Sequence, residues 1–243
     1  MLEKLPHLTA IIAISVDGKI SDATNSPARF SSKMDLDHLE RQISLLDAII
    51  FGGNTIRAYG TSLVIKNPEL LNQRRANNQP FQPLNIVCSA SGNINPEMRF
   101  FSQCLPRGLL TTNEGLLNWQ EKVKDYNQQK SQEKDNYFQD FFISNNPLNW
   151  QEILKELWAL NYKKIGILGG SQLISSLLAE NLIDELWLTI CPLIIGKKLA
   201  LSFLDPNLFA NLKLPINLKL LEVKQVDEEI FLHYLILNND KYE

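Results

Sequence analysis

The chain has 243 residues, 44% of them hydrophobic, enough for one large domain or two small ones. With 24 Lys and Arg against 27 Asp and Glu the net charge is −3, which excludes a nucleic-acid binder that works through a broad basic footprint. No apolar run reaches the roughly 18 residues of a membrane span, and the opening MLEKLPHLTA lacks a basic n-region and a cleavage site, so a cytoplasmic protein is expected.

In chain order, Thr9-Ala-Ile-Ile-Ala-Ile-Ser15 is apolar almost throughout and reads as a strand buried on both faces, ended by a turn at Asp17-Gly18. Ser32-x-x-Asp35 has the form of a capping box, and Leu36, Leu39, Ile43 and Leu46 follow at helical spacing. Ala48-Ile-Ile-Phe51 is a short strand closed by Gly52-Gly53. Similar strands are Leu84-Asn-Ile-Val-Cys-Ser89, Gly108-Leu-Leu-Thr-Thr112, Lys164-Ile-Gly-Ile-Leu168 and Glu185-Leu-Trp-Leu-Thr-Ile190, while 150–161 and 171–181 read as amphipathic helices. This alternation predicts an α/β fold with a mostly parallel central sheet and helices on both faces. Leu218–Val226 and Ile230–Leu237, flanking Asp227-Glu-Glu229, predict a C-terminal antiparallel hairpin on the sheet edge. Residues 63–83, rich in Asn, Gln, Pro and Arg, and 124–149, polar with an aromatic island, read as loop insertions in a single domain spanning 1–243.

Three segments carry chemistry. In Ile165-Gly-Ile-Leu-Gly-Gly-Ser-Gln-Leu173 a strand runs through Gly169-Gly170 into a helix, where a phosphate can approach backbone N–H groups and the helix dipole favours it. The bland reading is a tight strand-to-helix turn, for neither the G-x-G-x-x-G fingerprint nor the P-loop is present. Phe51-Gly-Gly-Asn-Thr-Ile-Arg57 repeats the pattern, with Thr55 and Arg57 able to meet a phosphate. Two such turns at strand carboxyl ends are where open α/β sheets bind dinucleotides, and Cys88-Ser89-Ala90-Ser91-Gly92 adds hydroxyls at a third strand end. Ser15-Val16-Asp17-Gly18-Lys19 is either a plain turn or an active-site loop bearing a carboxylate and an ammonium. Cys88, Cys104 and Cys191, like His7, His38 and His233, are scattered without metal-ligand spacing, so no metal is expected.

These motifs, in this order, resemble the reductase domain of riboflavin biosynthesis, 5-amino-6-(5-phosphoribosylamino)uracil reductase, which also forms the C-terminal half of bifunctional deaminase/reductases. The resemblance rests on Ala13-Ile-Ser-Val-Asp-Gly-Lys19, on Leu46-Asp-Ala-Ile-Ile-Phe-Gly-Gly-Asn-Thr55 and on Pro83-Leu-Asn-Ile-Val-Cys-Ser89. Further along the chain it rests on Leu168-Gly-Gly-Ser171, Leu182-Ile-Asp-Glu-Leu186 and Cys191-Pro-Leu-Ile-Ile-Gly196. It implies a dihydrofolate-reductase-like fold, NADPH, a homodimer, and hydride transfer to C1 of a ring-opened ribosyl group. The cofactor contacts it suggests, joined to the two glycine turns, are Ala13, Gly52, Gly53, Thr55, Ser89, Gly169, Gly170, Ser171, Gln172 and Leu173. Ser15, Arg29, Arg57 and Leu168 are the expected substrate contacts, and Asp17 and Lys19 the expected catalytic pair, either of which could move the proton.

Arg57, Lys66, Arg74 and Arg75 are the cations available for a substrate phosphate, although Arg74-Arg75 also reads as a solvated surface pair. Ser89 and Ser91 with Arg57, and no acid at the end of that strand, favour NADPH over NADH. The chain departs from the family at Leu168, where a glutamate is usual, and at Arg57-Ala-Tyr-Gly-Thr-Ser-Leu63. Two rival readings follow. One is dihydrofolate reductase or another reductase of the same fold, which would want an acid on the first long helix, where Asp35, Asp37 and Glu40 lie mostly on the polar face. The other is a non-catalytic NADPH-binding homologue; a cofactor-free structural protein ranks last.

Overall fold

The computed structural model describes residues 4–21, 32–131, 137–145, 147–196, 200–205, 207 and 215–237. In chain order these form β1 (His7–Ser15), α1 (Lys33–Ser44), β2 (Ala48–Gly52), α2 (Gly53–Tyr59), α3 (Pro68–Ala76), β3 (Leu84–Cys88), β4 (Arg107–Thr112) and α4 (Asn113–Lys130). Then follow β5 (Asp140–Ser144), α5 (Trp150–Ala159), β6 (Lys164–Ile167), α6 (Ser171–Ala179), β7 (Glu185–Cys191), β8 (Asn217–Val226) and β9 (Glu229–Leu237). They fall into two compact units, one of residues 1–6 and 43–163, the other of residues 7–42 and 164–243.

In the first unit β2, β3, β4 and β5 pair side by side, all parallel. β2 and β4 are buried on both faces, which is why their sequences are continuous apolar runs rather than alternations. Three of the unit's helices, α3, α4 and α5, start on a side-chain cap, while α2 starts on Gly52 without one. Asn67 accepts from the Glu69 amide with Pro68 at the first helical position, Thr112 accepts from the Gly115 amide, and Asn149 accepts from the Glu152 amide. Trp150, Ile153, Leu154 and Leu157 form the one buried stripe of α5, each contributing roughly 1.5–3 kcal/mol by leaving water. The segments 63–83 and 124–149 hold regular elements. The first carries α3; the second carries the end of α4 and all of β5.

In the second unit β1 lies between β6 and β7, parallel to both, and β9 continues antiparallel from β7 to β8. The predicted hairpin is therefore present, its reversal made at Asp227 in the left-handed region with φ 51°. Ser32 caps α1 as predicted, its hydroxyl accepting from the Asp35 amide at 3.0 Å. The inward face of α1 differs from the expectation by one residue. Asp35 and Ile43 are buried while Leu36 is 44% exposed, so the inward stripe begins at the carboxylate.

Candidate active site

The register of the first unit brings a glycine and a serine together. Gly52 lies opposite Cys88 on neighbouring parallel strands, so Gly53 and Ser89, each one residue further on, meet at the carboxyl ends. A Cβ on Gly53 would stand 3.1 Å from Ser89 Oγ and 3.3 Å from Arg57 Nη1. The missing side chain thus leaves a small cradle with a hydroxyl and a guanidinium at its rim. Ser89 is 7% exposed, and its hydroxyl has no hydrogen-bond partner among the described residues. Among the described residues the buried side-chain atom left without a partner is Arg74 Nη2, so the Ser89 hydroxyl still reaches water, and a phosphate oxygen could take that water's place. Arg57 is exposed and donates to the Asn93 carbonyl at 2.7 Å and to Asn54 Oδ1 at 2.6 Å. Thr55, on the first turn of α2, is half-buried.

The loop after β3 is fixed from below. Thr111 Oγ1 donates to the Ser89 carbonyl at 2.8 Å and Thr112 Oγ1 to the Ala90 carbonyl at 2.9 Å. A Cβ on Gly92 would fall 1.8 Å from the Gly115 carbonyl oxygen, so the loop lies on the first turn of α4 at a distance only glycine permits.

In the second unit Gly169 and Gly170 have φ of 83° and 94°, conformations that L-residues rarely adopt. They turn the chain from β6 directly into α6, whose N-cap, Gly170, supplies no side-chain cap. The first-turn amides are thus left to a ligand or water. Ser171 is buried, Gln172 is exposed and Leu168 is half-buried. Leu173 differs from the expectation: its side chain is 6% exposed and faces inward with Ile174 and Leu177, so only its backbone can meet a cofactor. Ala13, half-buried in β1, lies opposite Thr189.

Ser15, Asp17 and Lys19 close on one another. Ser15 Oγ donates to Asp17 Oδ1 at 2.6 Å and accepts from the Lys19 amide at 2.9 Å. Asp17 also accepts from the amides of Ile195 and Gly196 at 3.0 and 2.8 Å. The Ser15 hydroxyl first, then the Gly196 and Ile195 amides, hold the Asp17 carboxyl down at about 2. It is ionised at neutral pH, so it anchors the 193–196 segment and has no proton to give. Lys19 Nζ ends on Ser202 Oγ at 3.0 Å.

Of the other cations, Arg74 corrects the expectation of a phosphate ligand. It is 1% exposed and donates to the carbonyls of Ser44, Leu46 and Pro80, because its position on α3 faces the core. Arg75 is exposed. Arg29 lies outside the described residues.

One cluster corrects the sequence reading, which set Asp35 with Asp37 and Glu40 mostly on the polar face of the first long helix and gave Glu229 no role. Asp35 and Glu229 are 6% and 5% exposed. Asp35 is bonded to Thr189, and Glu229 accepts from Ser32 Oγ at 2.5 Å. Burial first, with the Glu229 charge adding to it, raises the Asp35 carboxyl above its ordinary value against the Thr189 hydrogen bond. The signal was there, an acid at the third position of a capping box, but that spacing reads equally as a cap. A separate cavity of about 680 Å³, lined by Trp119, Lys124, Asn127, Tyr137 and Phe138, shares no residue with the predicted sites.

Among solved structures, a pyrimidine reductase-like protein from Corynebacterium diphtheriae superposes with a TM-score of 0.79 at 22% identity, over 96% of this chain and 92% of that one. The deaminase/5-amino-6-(5-phosphoribosylamino)uracil reductase of Thermotoga maritima gives 0.72 at 16% identity, over 96% of this chain and 57% of that one. These likenesses show the fold, α/β and dihydrofolate-reductase-like as expected. In sequence, 2,5-diamino-6-ribosylamino-4(3H)-pyrimidinone 5′-phosphate reductase of Archaeoglobus fulgidus is 26% identical over 191 residues, 79% of this chain and 82% of that protein. The protein of the same name from Methanothermobacter thermautotrophicus is 22% identical over 231 residues, 95% of this chain and 98% of that protein. The RibD C-terminal domain family matches residues 6–232, and the chain belongs to that family.

Proposed function

We propose that the chain is an NADPH-dependent reductase of riboflavin biosynthesis, converting the ribosyl group of a phosphoribosylaminopyrimidine to ribityl. The observation that carries this reading is the family match over residues 6–232, with relatives of that activity whose own length the chain covers by 82% and 98%. The substrate first expected is 5-amino-6-(5-phosphoribosylamino)uracil. A second reading, the 2,5-diaminopyrimidinone analogue, is favoured by the names of those two relatives.

The cradle at Gly53 and the unpartnered Ser89 hydroxyl fit a nucleotide phosphate, so Gly52, Gly53, Thr55 and Ser89 are proposed to hold NADPH. Ala13, Gly169, Gly170, Ser171, Gln172 and the Leu173 backbone complete the proposed set. The bound cofactor supplies a hydride to C1 of the ring-opened imine. The chain's own task is orientation, exclusion of water and delivery of one proton to the nitrogen that becomes the amine. Asp17, held as a carboxylate, orders the Ser15–Lys19 turn. Lys19, an ammonium on the same turn, is the proposed proton donor. Ser15, Arg29, Arg57 and Leu168 remain the proposed substrate contacts, Leu168 replacing a carboxylate with an apolar wall.

Among the described residues no helix is long and apolar enough to cross a membrane, and we place the enzyme in the cytoplasm as a single reductase domain and a homodimer. The test is NADPH oxidation followed at 340 nm with each pyrimidine and with dihydrofolate. Turnover with a phosphoribosylaminopyrimidine is expected, and the faster of the two bases names the substrate. Turnover with dihydrofolate alone would replace this reading. NADPH binding without turnover on either pyrimidine would make the chain a non-catalytic homologue.

A further inference from the structure

Lys19 carries an ammonium on the same turn as the Asp17 carboxylate, yet the two do not pair. Asp17 spends its oxygens on Ser15 Oγ and on the amides of Ile195 and Gly196. Among the described residues Lys19 makes no ion pair. Its Nζ donates instead to the hydroxyl of Ser202, 183 residues further along the chain, at 3.0 Å.

The segment that carries Ser202 is fixed on either side of that contact. The Ile20 amide donates to the Leu201 carbonyl at 2.8 Å and the Phe203 amide to the Gly18 carbonyl at 3.3 Å, so Lys19 and Ser202 face one another in an antiparallel bridge. The Leu201 amide donates to Ser21 Oγ at 3.3 Å, and Ser21 is buried. Further on, the Asp205 amide donates to Ser175 Oγ at 2.8 Å. Ser175 is fully buried on α6, the helix that the Gly169-Gly170 turn opens. One strap thus ties the Lys19 turn to the helix of the second glycine turn, entirely within the second unit.

We infer that Ser202 is a positioning residue, which through Lys19 sets the direction of the proton delivered to the substrate. This rests on the reading of Lys19 as the proton donor proposed above, and it adds a residue outside the motifs that carry the family resemblance. A hydroxyl suits the task better than a carboxylate. It fixes one N–H of the ammonium and leaves the others for the substrate. It adds no charge that would oppose loss of the proton, as a carboxylate would. As the hydride reaches C1, the C=N electron pair takes a proton from Nζ, and the neutral amine left on Lys19 recovers one from water. Without the Ser202 hydroxyl the flexible lysine stem spreads the ammonium over many positions, and the reacting geometry is populated less often.

The test is single-turnover NADPH oxidation at saturating phosphoribosylaminopyrimidine, with the dissociation constant of NADPH measured beside it. Ser202→Ala should slow the step roughly three- to tenfold and hold NADPH affinity within about twofold of wild type, since one neutral hydrogen bond is lost. Ser202→Thr keeps the hydroxyl and should restore the rate to within about twofold. Ser202→Asp should be slower than Ser202→Ala, because its carboxylate pairs with the ammonium. Leu201→Ala is the control, for its side chain is exposed and its backbone makes the bonds of the strap; it should not move the rate. Lys19→Met should be slow, and adding Ser202→Ala to it should cost nothing more, because Ser202 acts through Lys19. A readout that needs no turnover is acetylation of Lys19 by acetic anhydride, followed by peptide mass, which should run roughly two- to fivefold faster in Ser202→Ala. A Ser202→Ala protein as fast as wild type, equal acetylation rates, or a full further loss in the double variant overturns the role of Ser202 while leaving that of Lys19 intact. A Lys19→Met protein as fast as wild type overturns the Lys19 reading itself.

Discussion

At the scale of single residues, two glycines that look alike in the sequence serve different ends. Gly169 takes a positive φ with open space where its Cβ would be. Gly115 would place a Cβ 2.1 Å from Thr111 Oγ1 and 2.2 Å from the Ala90 carbonyl oxygen. Gly169→Ala should therefore cost only left-handed strain, about 1–2 kcal/mol. Gly115→Ala must push a loop off a helix, at about 2–4 kcal/mol, because the opposing atoms are backbone or held by it. Urea unfolding of both variants checks the order, and a Gly115→Ala protein as stable as wild type would refute the close approach. The sequence could reveal the first glycine, which sits between a strand and a helix. It could not reveal the second, whose partners at 89–92 are remote along the chain. The same distinction separates Arg74 from Arg75. Adjacent letters suggested a pair of cations, but helical geometry turns one into the core and leaves the other outside.

At the scale of elements, α1 shows what burial does to titratable groups. His38 packs its ring edge-on to Trp187 at 4.8 Å and against Phe231 at 4.7 Å. Burial first, with the charges of Lys224, Arg41 and His233 adding to it, lowers the His38 imidazole from 6.5 to about 4. An unfolded imidazole binds its proton near pH 6.5, so between those values the unfolded chain holds the extra proton. Stability from this group is thus intact above pH 6.5 and is lost as the pH falls towards about 4. Because the ring is only half-buried the loss is on the order of 1–2 kcal/mol. His38→Gln should lose less stability than wild type between pH 7 and pH 5 in urea titrations; parallel losses in both proteins would exclude the imidazole as the cause. Asp35 works the other way, since a raised carboxyl favours folding as the pH falls, and comparing the variant with wild type cancels it. Elements whose apolar spacing is strong, such as β1, α5 and α6, were legible from sequence. Three others, α3, α4 and β5, were not. α4 buries Gly115 and Trp119 as its inward anchors, and β5 alternates about an exposed Phe141 and Ile143, so polar composition there masked regular structure.

At the scale of the whole molecule, β8 leaves a surface unexplained by the fold of one copy. It follows β9 at the end of its strand order, and Leu218, Leu220, Leu221 and Val223 are 43–60% exposed along it. An apolar strand with an unpaired edge invites another strand. The charges along it suit a second copy. Antiparallel pairing about a two-fold axis between Leu220 and Leu221 sets Lys219 opposite Glu222, Leu218 opposite Val223, and no like charges opposite each other. The hairpin was legible in the sequence; its exposure was not, because alternation of apolar residues looks the same on an inward face and on one kept for a partner. Sedimentation at micromolar concentration should give twice the 27.7 kDa of one chain. Lys introduced at both Leu220 and Val223 places charge in the middle of that pairing, and the variant should sediment as a monomer with unchanged circular dichroism. A monomeric wild type would refute the dimer, and a variant that stays dimeric would move its interface to another face.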